Sequence, residues 1–443
     1  MSNFIGEQAV VIGAGLGGLT AAAALAEFFA SVIVLERDAL PPEASWRKGV
    51  PQGRHLHLLL AGGQDALEEL FPGFGQDLAA AGAVHINPGL DARVEQPGYD
   101  PFPRRDLGLT VYAMSRPLLE HVVRQRAGRI GNVSIRPKCN VREIIAAPGG
   151  AAATGVRYEN SDGIAETGPA DLVVDASGRG LPTLAFLEAH GHPLPEETSI
   201  GVDMRYATAV LALPKTEASD WSAVISFPDP RVNGRGGLLF PIEGGQWMLA
   251  IGGANGDAPP ADIDGFKAFA ASLRTPTIYN AIRDAAFIGE IARFAFPGSV
   301  HRHFERLTNF PKGLLPVADA VCRFNPAFGQ GMSVAAIEAC TLKRLLKTHA
   351  DRLAPAFFSE IQSAIETPWA VAKADFIYPR TTGERPADFE ATMKFQAALT
   401  RLAAREQPIH KLLVEVRHLL KPGSVYRDPA LAQRVMAEMQ AQP

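Results

Sequence analysis

The first 35 residues combine two hydrophobic patterns. Residues 9–12 and 31–35 are short apolar runs rich in β-branched side chains, which predict buried parallel strands. The alanine-rich segment from Leu19 to Phe29 lies between them and favours a helix. A glycine-rich turn at residues 13–18 connects the first strand to that helix. The pattern therefore predicts a β–α–β unit at the N-terminus.

Apolar and polar positions predict further elements along the chain. A helix begins after Ser115, its expected N-cap, and continues to about Arg129; another starts near Gln330 and ends near Lys347. Residues 237–242 and 246–251 flank Glu-Gly-Gly and predict a hairpin. The pattern from Ala354 onward predicts helices. Strands are predicted at 133–137, 141–147, 154–159 and 171–174, and helices at 389–405 and 409–420.

Composition and charge narrow the class of protein. A chain of 443 residues with 47% hydrophobic side chains predicts two to three globular domains. Lys and Arg (43) nearly balance Asp and Glu (47), which argues against nucleic acid or a polybasic membrane anchor as partner.

Cysteine usage and the N-terminal hydrophobic stretch bear on the compartment. The three cysteines, Cys139, Cys322 and Cys340, show no paired spacing, so we expect neither disulfides nor a zinc site, and a reducing, cytoplasmic location. Residues 8–26 carry no charge, but no Lys or Arg precedes them and four glycines interrupt them. We therefore expect a mature protein without an integral membrane segment.

The glycine-rich turn carries the first candidate chemistry. Gly13, Gly15 and Gly18 match GxGxxG between a strand and a helix, and Glu36 ends the next strand. Glycine allows a tight turn and lets a pyrophosphate approach the N–H groups at the helix N-terminus. A carboxylate such as Glu36 can accept hydrogen bonds from an unphosphorylated ribose, as in FAD or NAD.

Two further glycine-rich edges follow predicted strands. Residues 171–179 read Asp-Leu-Val-Val-Asp-Ala-Ser-Gly-Arg, and Asp319 is followed by Pro326-Ala-Phe-Gly-Gln-Gly-Met. Arg116, at a helix start, is placed to reach a phosphate or ribityl chain. Three such glycine-rich edges fit a ligand that is longer than one half of a dinucleotide.

These motifs resemble the three fingerprints of the para-hydroxybenzoate-hydroxylase-like FAD monooxygenases. The segment Arg47-Lys-Gly-Val-Pro-Gln-Gly-Arg-His-Leu-His57, with residues 170–180, more closely resembles the flavin epoxidases of polyether biosynthesis and their squalene-epoxidase-like relatives. The resemblance implies an α/β (α+β) fold: a Rossmann-like FAD-binding domain with an inserted strand-rich substrate domain and a C-terminal helical region. The expected boundaries are 1–86, 114–199 and 301–350 for FAD, 87–113 and 200–300 for substrate, and 351–443 for the helices.

The resemblance also implies an activity and a set of cofactor-binding residues. Reduced FAD would form a C4a-hydroperoxide with O2 and pass one oxygen atom to a small apolar organic substrate, with electrons from NADPH, NADH or a partner flavin reductase. The cofactor-binding residues that we expect are Gly13, Gly15, Leu16, Gly18, Glu36, Arg37, Arg54, Arg116, Val141, Asp175, Gly178, Asp319, Pro326, Gly329, Gln330, Gly331 and Met332.

Two positions depart from the family pattern. The usual Gly-Asp is Ala318-Asp319, which adds a methyl group close to the cofactor, and the usual Ala-Asp-Gly is Ala-Ser177-Gly178, which removes a carboxylate. A reductase or dehydrogenase of the geranylgeranyl-reductase type therefore stays open as an alternative. So does a non-catalytic FAD-binding protein. A flavin halogenase would require Trp-x-Trp, and none of the four tryptophans are two residues apart.

The sequence offers weaker signals for catalytic residues. Arg54, His55, Tyr206 and Arg235 are the candidates, and no acid–base pair stands out among them. The pair His55 and His57 lacks a nearby acidic or cysteine partner, so we expect no metal. Aromatic residues between 227 and 296 predict an apolar pocket beside the flavin, where the cofactor supplies the chemistry.

Overall fold

The computed structural model describes residues 4–214 and 219–441. Its strands are β1 (Gly6–Ile12), β2 (Phe29–Leu35), β3 (Val84–Ile86), β4 (Ala92–Glu95), β5 (Val111–Ala113), β6 (Val133–Arg136), β7 (Asn140–Ala146), β8 (Ala153–Glu159), β9 (Ala165–Pro169), β10 (Leu172–Asp175), β11 (Glu197–Ala212), β12 (Ala223–Ser226), β13 (Gly236–Pro241), β14 (Trp247–Gly253), β15 (Ala286–Arg302), β16 (Leu314–Pro316) and β17 (Cys322–Arg323). Its helices are α1 (Leu16–Leu25), α2 (Ala61–Leu70), α3 (Phe74–Ala80), α4 (Arg116–Gly128), α5 (Leu181–Ala189), α6 (Ile263–Ala271), α7 (Thr277–Ile282), α8 (Gly331–Thr348), α9 (Leu353–Glu360), α10 (Gln362–Ala372), α11 (Phe389–Arg405), α12 (Gln407–Arg417) and α13 (Pro429–Ala441).

Five parallel strands form the central sheet, in the order β16-β10-β1-β2-β6. Both faces are covered, which explains the continuous apolar runs in β1 and β2. Val11 packs with helices α1, α2, α4 and α8 on one face, whereas Val10 and Ile12 pack against the small antiparallel sheet β7-β8-β9 on the other. Because the strands are parallel, the residues that follow β1, β2, β10 and β16 meet at one edge.

The predicted mixed α/β fold is confirmed, with corrections in detail. Helix α1 ends at Leu25, not at Phe29, because Phe29 begins β2 and packs in the core with 3% of its surface exposed. Strand β9 and helices α6 and α7 were not predicted. The helix after Ser115 is confirmed, and the Ser115 hydroxyl accepts a hydrogen bond from the Leu118 backbone N–H at 3.2 Å, as an N-cap does.

A second sheet has seven strands in the order β17-β15-β11-β14-β13-β12-β4. Its strands pair antiparallel except β12 with β4, and the predicted β13–β14 hairpin is confirmed. Side chains alternate along β11: Ala207 and Ala209 pack toward α6 and α7, while Thr208 contacts the segment that follows β2. The second sheet therefore faces the nucleotide-binding edge through its other surface.

The C-terminal helices pack as a separate cluster beside this sheet. Leu399 in α11, Leu413 in α12 and Val435 in α13 share a core with Phe102. Glu438 of α13 accepts a hydrogen bond from Arg401 of α11 at 2.9 Å. Across residues 4–214 and 219–441, no helix has both the length and the apolar character that crossing a membrane would require.

Candidate active site

The turn after β1 leaves room for a phosphate group above the start of α1. Gly13 has φ +101°, and a Cβ there would lie 2.7 Å from the Ala176 carbonyl oxygen, so the turn requires glycine. A Cβ on Gly18 would collide with the Gly13 carbonyl oxygen, which explains how α1 packs so closely on β1. A Cβ on Gly15 meets no atom within 4 Å, and no side chain caps the helix there. This open position fits a pyrophosphate bound at the helix N-terminus.

Glu36 lies at the end of β2, where the resemblance places the adenosine ribose. Its carboxylate accepts hydrogen bonds from the backbone N–H of Ala14 at 2.8 Å and of Asp38 at 2.9 Å, and it pairs with Arg47 at 3.0 Å. Arg47 also pairs with Glu120 of α4 at 2.6 Å. A ribose hydroxyl would therefore share the Glu36 carboxylate with Arg47, a buried residue that we did not expect at the cofactor.

Arg116, the first residue of α4, is a buried cation with unused hydrogen-bonding capacity. Its nearest carboxylate oxygen belongs to Glu120 at 3.7 Å, and among the described residues its Nε–H has no acceptor. Burial lowers the pKa of its guanidinium, against the attraction of Glu120 and Asp319. An anionic phosphate would satisfy both the charge and the free N–H, so Arg116 fits the predicted cofactor role.

Asp319 follows β16 at the same edge. Burial raises the pKa of its carboxyl, and the charges of Arg323 and Arg116 oppose that rise. The preceding Ala318 has φ +55°, a left-handed conformation in which the family pattern places glycine. Its backbone N–H donates to Glu338 Oε2 of α8 at 2.7 Å. Glu338 is thus a second unpredicted residue, which holds the loop that presents Asp319.

The third glycine-rich edge leads directly into α8. Pro326–Phe328 form a 3₁₀ turn that ends at Gly329 with φ +68°, and α8 begins at Gly331. The Gln330 side chain is buried, and its Oε1 has no donor among the residues described. The start of an 18-residue helix, with an adjacent unpaired amide oxygen, fits the polar edge of a flavin ring.

The remaining predicted cofactor residues differ in their surroundings. Asp175 is fully buried: one oxygen accepts from Ser177 N at 3.0 Å, and the other accepts from Thr183 N at 3.0 Å and Thr183 Oγ1 at 2.7 Å. The carboxylate therefore holds the turn after β10. Gly178, in that turn, has φ +87°. The other expected residues are Leu16 and Met332, which are buried, Val141, which is half-buried in β7, and Arg37, which is exposed.

Two of the four catalytic candidates lie together. His55 is buried, and its Nδ1 lies 2.8 Å from Thr208 Oγ1 on β11. Its ring makes edge contacts with Tyr206 at 4.8 Å and Phe294 at 5.6 Å between centroids. Burial lowers the pKa of His55 to about 4, with the Arg54 charge acting in the same direction, so the ring is neutral at neutral pH. Burial also raises the pKa of Tyr206.

The two arginine candidates lie in other surroundings. Arg235 donates to both Asp257 oxygens, at 2.6 and 3.1 Å, and lies 4.2 Å from the Phe269 ring centroid of α6. These contacts place it on the α6 side of the sheet, away from His55. Arg54 lies 5.1 Å from the Trp46 ring centroid and 3.5 Å from Glu290.

Comparisons with known proteins identify relatives of this chain. No protein-family model matches the sequence. Protein Rv3254 of Mycobacterium tuberculosis is 35% identical over 358 residues, which cover 77% of this chain and 73% of that protein. Squalene monooxygenase 1,1 of Brassica napus is 31% identical over 169 residues, or 38% of this chain and 31% of that protein.

Solved structures show the same fold at low sequence identity. A flavoprotein/dehydrogenase from Cytophaga hutchinsonii has a TM-score of 0.69 at 15% identity and covers 98% of both chains. The flavin-dependent brominase Bmp2 has a TM-score of 0.66 at 15% identity, over 99% of this chain and 100% of that one. The p-nitrophenol 4-monooxygenase PnpA from Pseudomonas putida has a TM-score of 0.62 at 15% identity, over 93% of this chain and 98% of that one. The chain belongs to the family of Protein Rv3254, and it shares its fold with these flavin-dependent proteins and monooxygenases.

Within this fold, one histidine cluster has no counterpart among our expectations. One ligand atom from each of His301, His303 and Glu305 lies within 4.8 Å of the others. Both nitrogens of His303 are already paired, with Glu305 Oε1 at 2.8 Å and Thr198 Oγ1 at 2.7 Å. His301 Nε2 has no partner among the described residues. Hydrogen bonds account for His303 and Glu305, and the buried Nε2 of His301 stays unpaired among the described residues.

A sequence signal existed for only one of the two residues of the candidate site that we did not predict. Arg47 opens the motif that ends at His57, so its presence near the cofactor could have been inferred from that motif. Glu338 lies in the middle of α8 with no motif around it. Its role depends on the left-handed conformation of Ala318, which the sequence alone does not reveal.

Proposed function

We propose that this protein is an FAD-dependent monooxygenase that transfers one oxygen atom from O2 to an apolar organic substrate. The observation that carries the proposal is the convergence of three features at one edge of the parallel sheet. These are the open position over Gly15, the buried and incompletely paired Arg116, and the start of α8 at Gly331. Together they match the shape and charge of FAD better than those of a single nucleotide.

FAD, when bound and reduced, supplies the electrons and the site at which O2 is activated. The chain would bind and orient it. The N–H groups at the start of α1 and the Arg116 guanidinium would hold the pyrophosphate, and Asp319 would bind the ribityl portion. The N-terminus of α8 would stabilise negative charge on the pyrimidine edge of the reduced ring. The buried aromatic contacts around His55 would keep water away from the reacting atoms.

The substrate would enter between the nucleotide-binding edge and the second sheet. The motif from Arg47 to His57 and the local similarity to a squalene monooxygenase favour epoxidation of an alkene, with aromatic hydroxylation as the next choice. NADPH, NADH or a partner flavin reductase would supply electrons. We further propose the domain boundaries given above and a cytoplasmic location, which the three free cysteines support.

A flavin halogenase is the second candidate, because the fold is shared with the brominase Bmp2. A reductase of the geranylgeranyl-reductase type is the third, because Ala318 and Ser177 depart from the monooxygenase pattern.

Isotope labelling separates these reactions. The FAD-loaded protein is reduced and mixed with ¹⁸O₂ and a panel of terpenoid, polyketide and aromatic substrates, with bromide present in a parallel set. One heavy oxygen atom in the product supports a monooxygenase. Equal turnover without O2 would indicate a reductase, and a brominated product a halogenase. A Gly15→Val variant, expected to lack FAD, controls for reactions of the reductant alone.

A further inference from the structure

The end of α12 is inserted beside the nucleotide-binding edge. The backbone N–H of Gly62 donates to the His418 carbonyl at 2.8 Å, and the Ala61 N–H donates to His418 Nδ1 at 3.3 Å. Leu419 follows with φ +58°, which turns the chain sharply. The start of α2 is in turn held to α8, because Leu60 N donates to Ser333 Oγ at 3.0 Å. The C-terminal helices thus contact the elements that flank the flavin position.

The turn after α12 completes an apolar surface that begins at the flavin position. Leu58 is the nearest neighbour of Gly329, since a Cβ there would lie 3.1 Å from the Leu58 Cβ. Leu58 belongs to a set of half-buried side chains packed around one core. We call this set the apolar wall; it consists of Leu56, Leu58, Ile225, Leu238 and Leu420. Its members keep accessible surface, so the wall is partly open rather than closed inside the core.

Arg417 stands at the far end of the apolar wall. Its guanidinium lies 5.8 Å from the ring centroid of Phe227, two residues beyond Ile225 of the wall. The residue is exposed to solvent, yet burial lowers the pKa of its guanidinium. Arg417 therefore has protein around it while its side chain stays accessible to a ligand from solvent.

No described side chain neutralises this cation. Arg417 makes no ion pair or side-chain hydrogen bond within residues 4–214 and 219–441. Burial, reinforced by the Arg417 charge, lowers the pKa of His418 to about 4, and burial with the charges of Arg105 and Arg417 does the same for His410. Burial raises the pKa of Tyr426 to about 12 although Arg417 opposes it. All three neighbours are therefore uncharged at neutral pH.

The position of Arg417 explains how the lone charge is tolerated. It is the last residue of α12, where the helix dipole favours a cation. That interaction leaves the N–H groups of the guanidinium available to a ligand. A planar guanidinium with free donors suits an acidic oxygen, and the adjacent Phe227 ring and apolar wall suit a planar hydrocarbon body.

We propose that Arg417 binds an acidic oxygen of the substrate, a carboxylate or an ionised phenol or enol, while the apolar wall holds the body of the molecule toward the flavin. The proposal rests on the proposed function, because it assigns the apolar wall and Arg417 to the substrate of the oxygenase. It narrows the substrate class from apolar molecules in general to those with one anionic end.

Calorimetric titration of the FAD-loaded protein tests the assignment without turnover. The probes are 2-naphthoate and 1-naphthol, which distinguish a carboxylate from a phenol, with methyl 2-naphthoate as the uncharged match. We expect the wild type to bind naphthoate more tightly than its ester. Arg417→Gln should weaken naphthoate binding about tenfold or more and change ester binding less than about twofold. Arg417→Lys should recover part of the loss. Arg427→Gln, at an exposed arginine paired with Glu366, is the matched control.

Two results would overturn the proposal. One is a wild type that binds neither naphthoate nor 1-naphthol more tightly than the methyl ester, which needs no variant and so does not depend on Arg417→Gln folding. The other is an unchanged naphthoate affinity in a folded, FAD-loaded Arg417→Gln protein. Failure of oxygen transfer would look different, because carboxylate preference would persist while no heavy oxygen entered any product.

Discussion

Ala318 adopts a left-handed backbone conformation, and its N–H donates to the buried carboxylate of Glu338 at 2.7 Å. An alanine in this conformation costs about 1–2 kcal/mol, whereas glycine adopts it freely. The alanine that stands where the family pattern has glycine therefore destabilises the folded protein, and the Glu338 hydrogen bond offsets part of that free energy.

Ala318→Gly should raise the free energy of unfolding by up to about 1 kcal/mol, because the relief of strain exceeds the extra chain entropy of glycine. Denaturant unfolding followed by circular dichroism measures the change. Ala320→Gly is the control. Ala320 is buried, follows Ala318 by two residues and does not have a left-handed backbone conformation, so glycine there should lower the free energy of unfolding by about 0.5–1 kcal/mol. A destabilised Ala318→Gly protein would show that the methyl group has a packing role.

Glu338 should make stability depend on pH. Burial raises the pKa of its carboxyl from 4.5 to about 7, although the Ala318 N–H opposes the rise. Below about pH 4.5 the group is protonated in both folded and unfolded chains and contributes nothing. Between about pH 4.5 and 7 only the unfolded chain ionises, so stability falls with rising pH by on the order of 3 kcal/mol and then levels off. Glu338→Gln should remove this component, as unfolding measured in steps from pH 4.5 to 8 would show. Parallel curves for the two proteins would contradict the assignment.

Gly15→Val should abolish FAD binding, because its side chain would fill the position that is open to the pyrophosphate. The visible absorbance of the purified protein measures the bound flavin. Gly131→Val, also at a glycine with no atom within 4 Å of its Cβ but distant from the nucleotide edge, should retain the flavin. Full occupancy in Gly15→Val would show that the N-terminal turn does not bind the cofactor.

The sequence predicted what depends on local pattern. The start of α4 followed from Ser115 and Pro117, and the limits of α11 were predicted correctly, because capping and amphipathic spacing act within a few residues. The early end of α1 could not be predicted, since Phe29 leaves the helix to pack in the core. The missed Glu338 depends on a distant partner, because its carboxylate accepts from the Ala318 N–H only where the turn after β16 meets α8. Only the folded chain brings such pairs together.

Gly331→Pro should lower the reduction potential of the bound flavin. Gly331 is the first residue of α8, and proline there removes one N–H donor from the helix N-terminus, although the right-handed conformation of Gln330 makes the substitution strained. Less stabilisation of the anionic reduced ring would lower the potential by about 10–40 mV. Equilibrium reduction against reference dyes measures it. Ile263→Pro, at the first residue of α6, is the matched control and should leave the potential unchanged. An unchanged potential in Gly331→Pro with FAD bound would place the flavin elsewhere.

Asn325 and Asp375 connect the loop before α8 to the C-terminal part of the chain, through the Asn325 amide, which donates to Asp375 Oδ2 at 3.1 Å. The end of α12 makes a second connection at Gly62. Residues that follow the parallel sheet and α8 therefore contact the elements of the candidate active site directly. Divergence in this part of the chain could retune which molecules are accepted while the flavin-holding turns stay the same. Exchanging residues 386–441 between relatives should therefore change which substrates are accepted, while the residues proposed to bind the flavin stay the same.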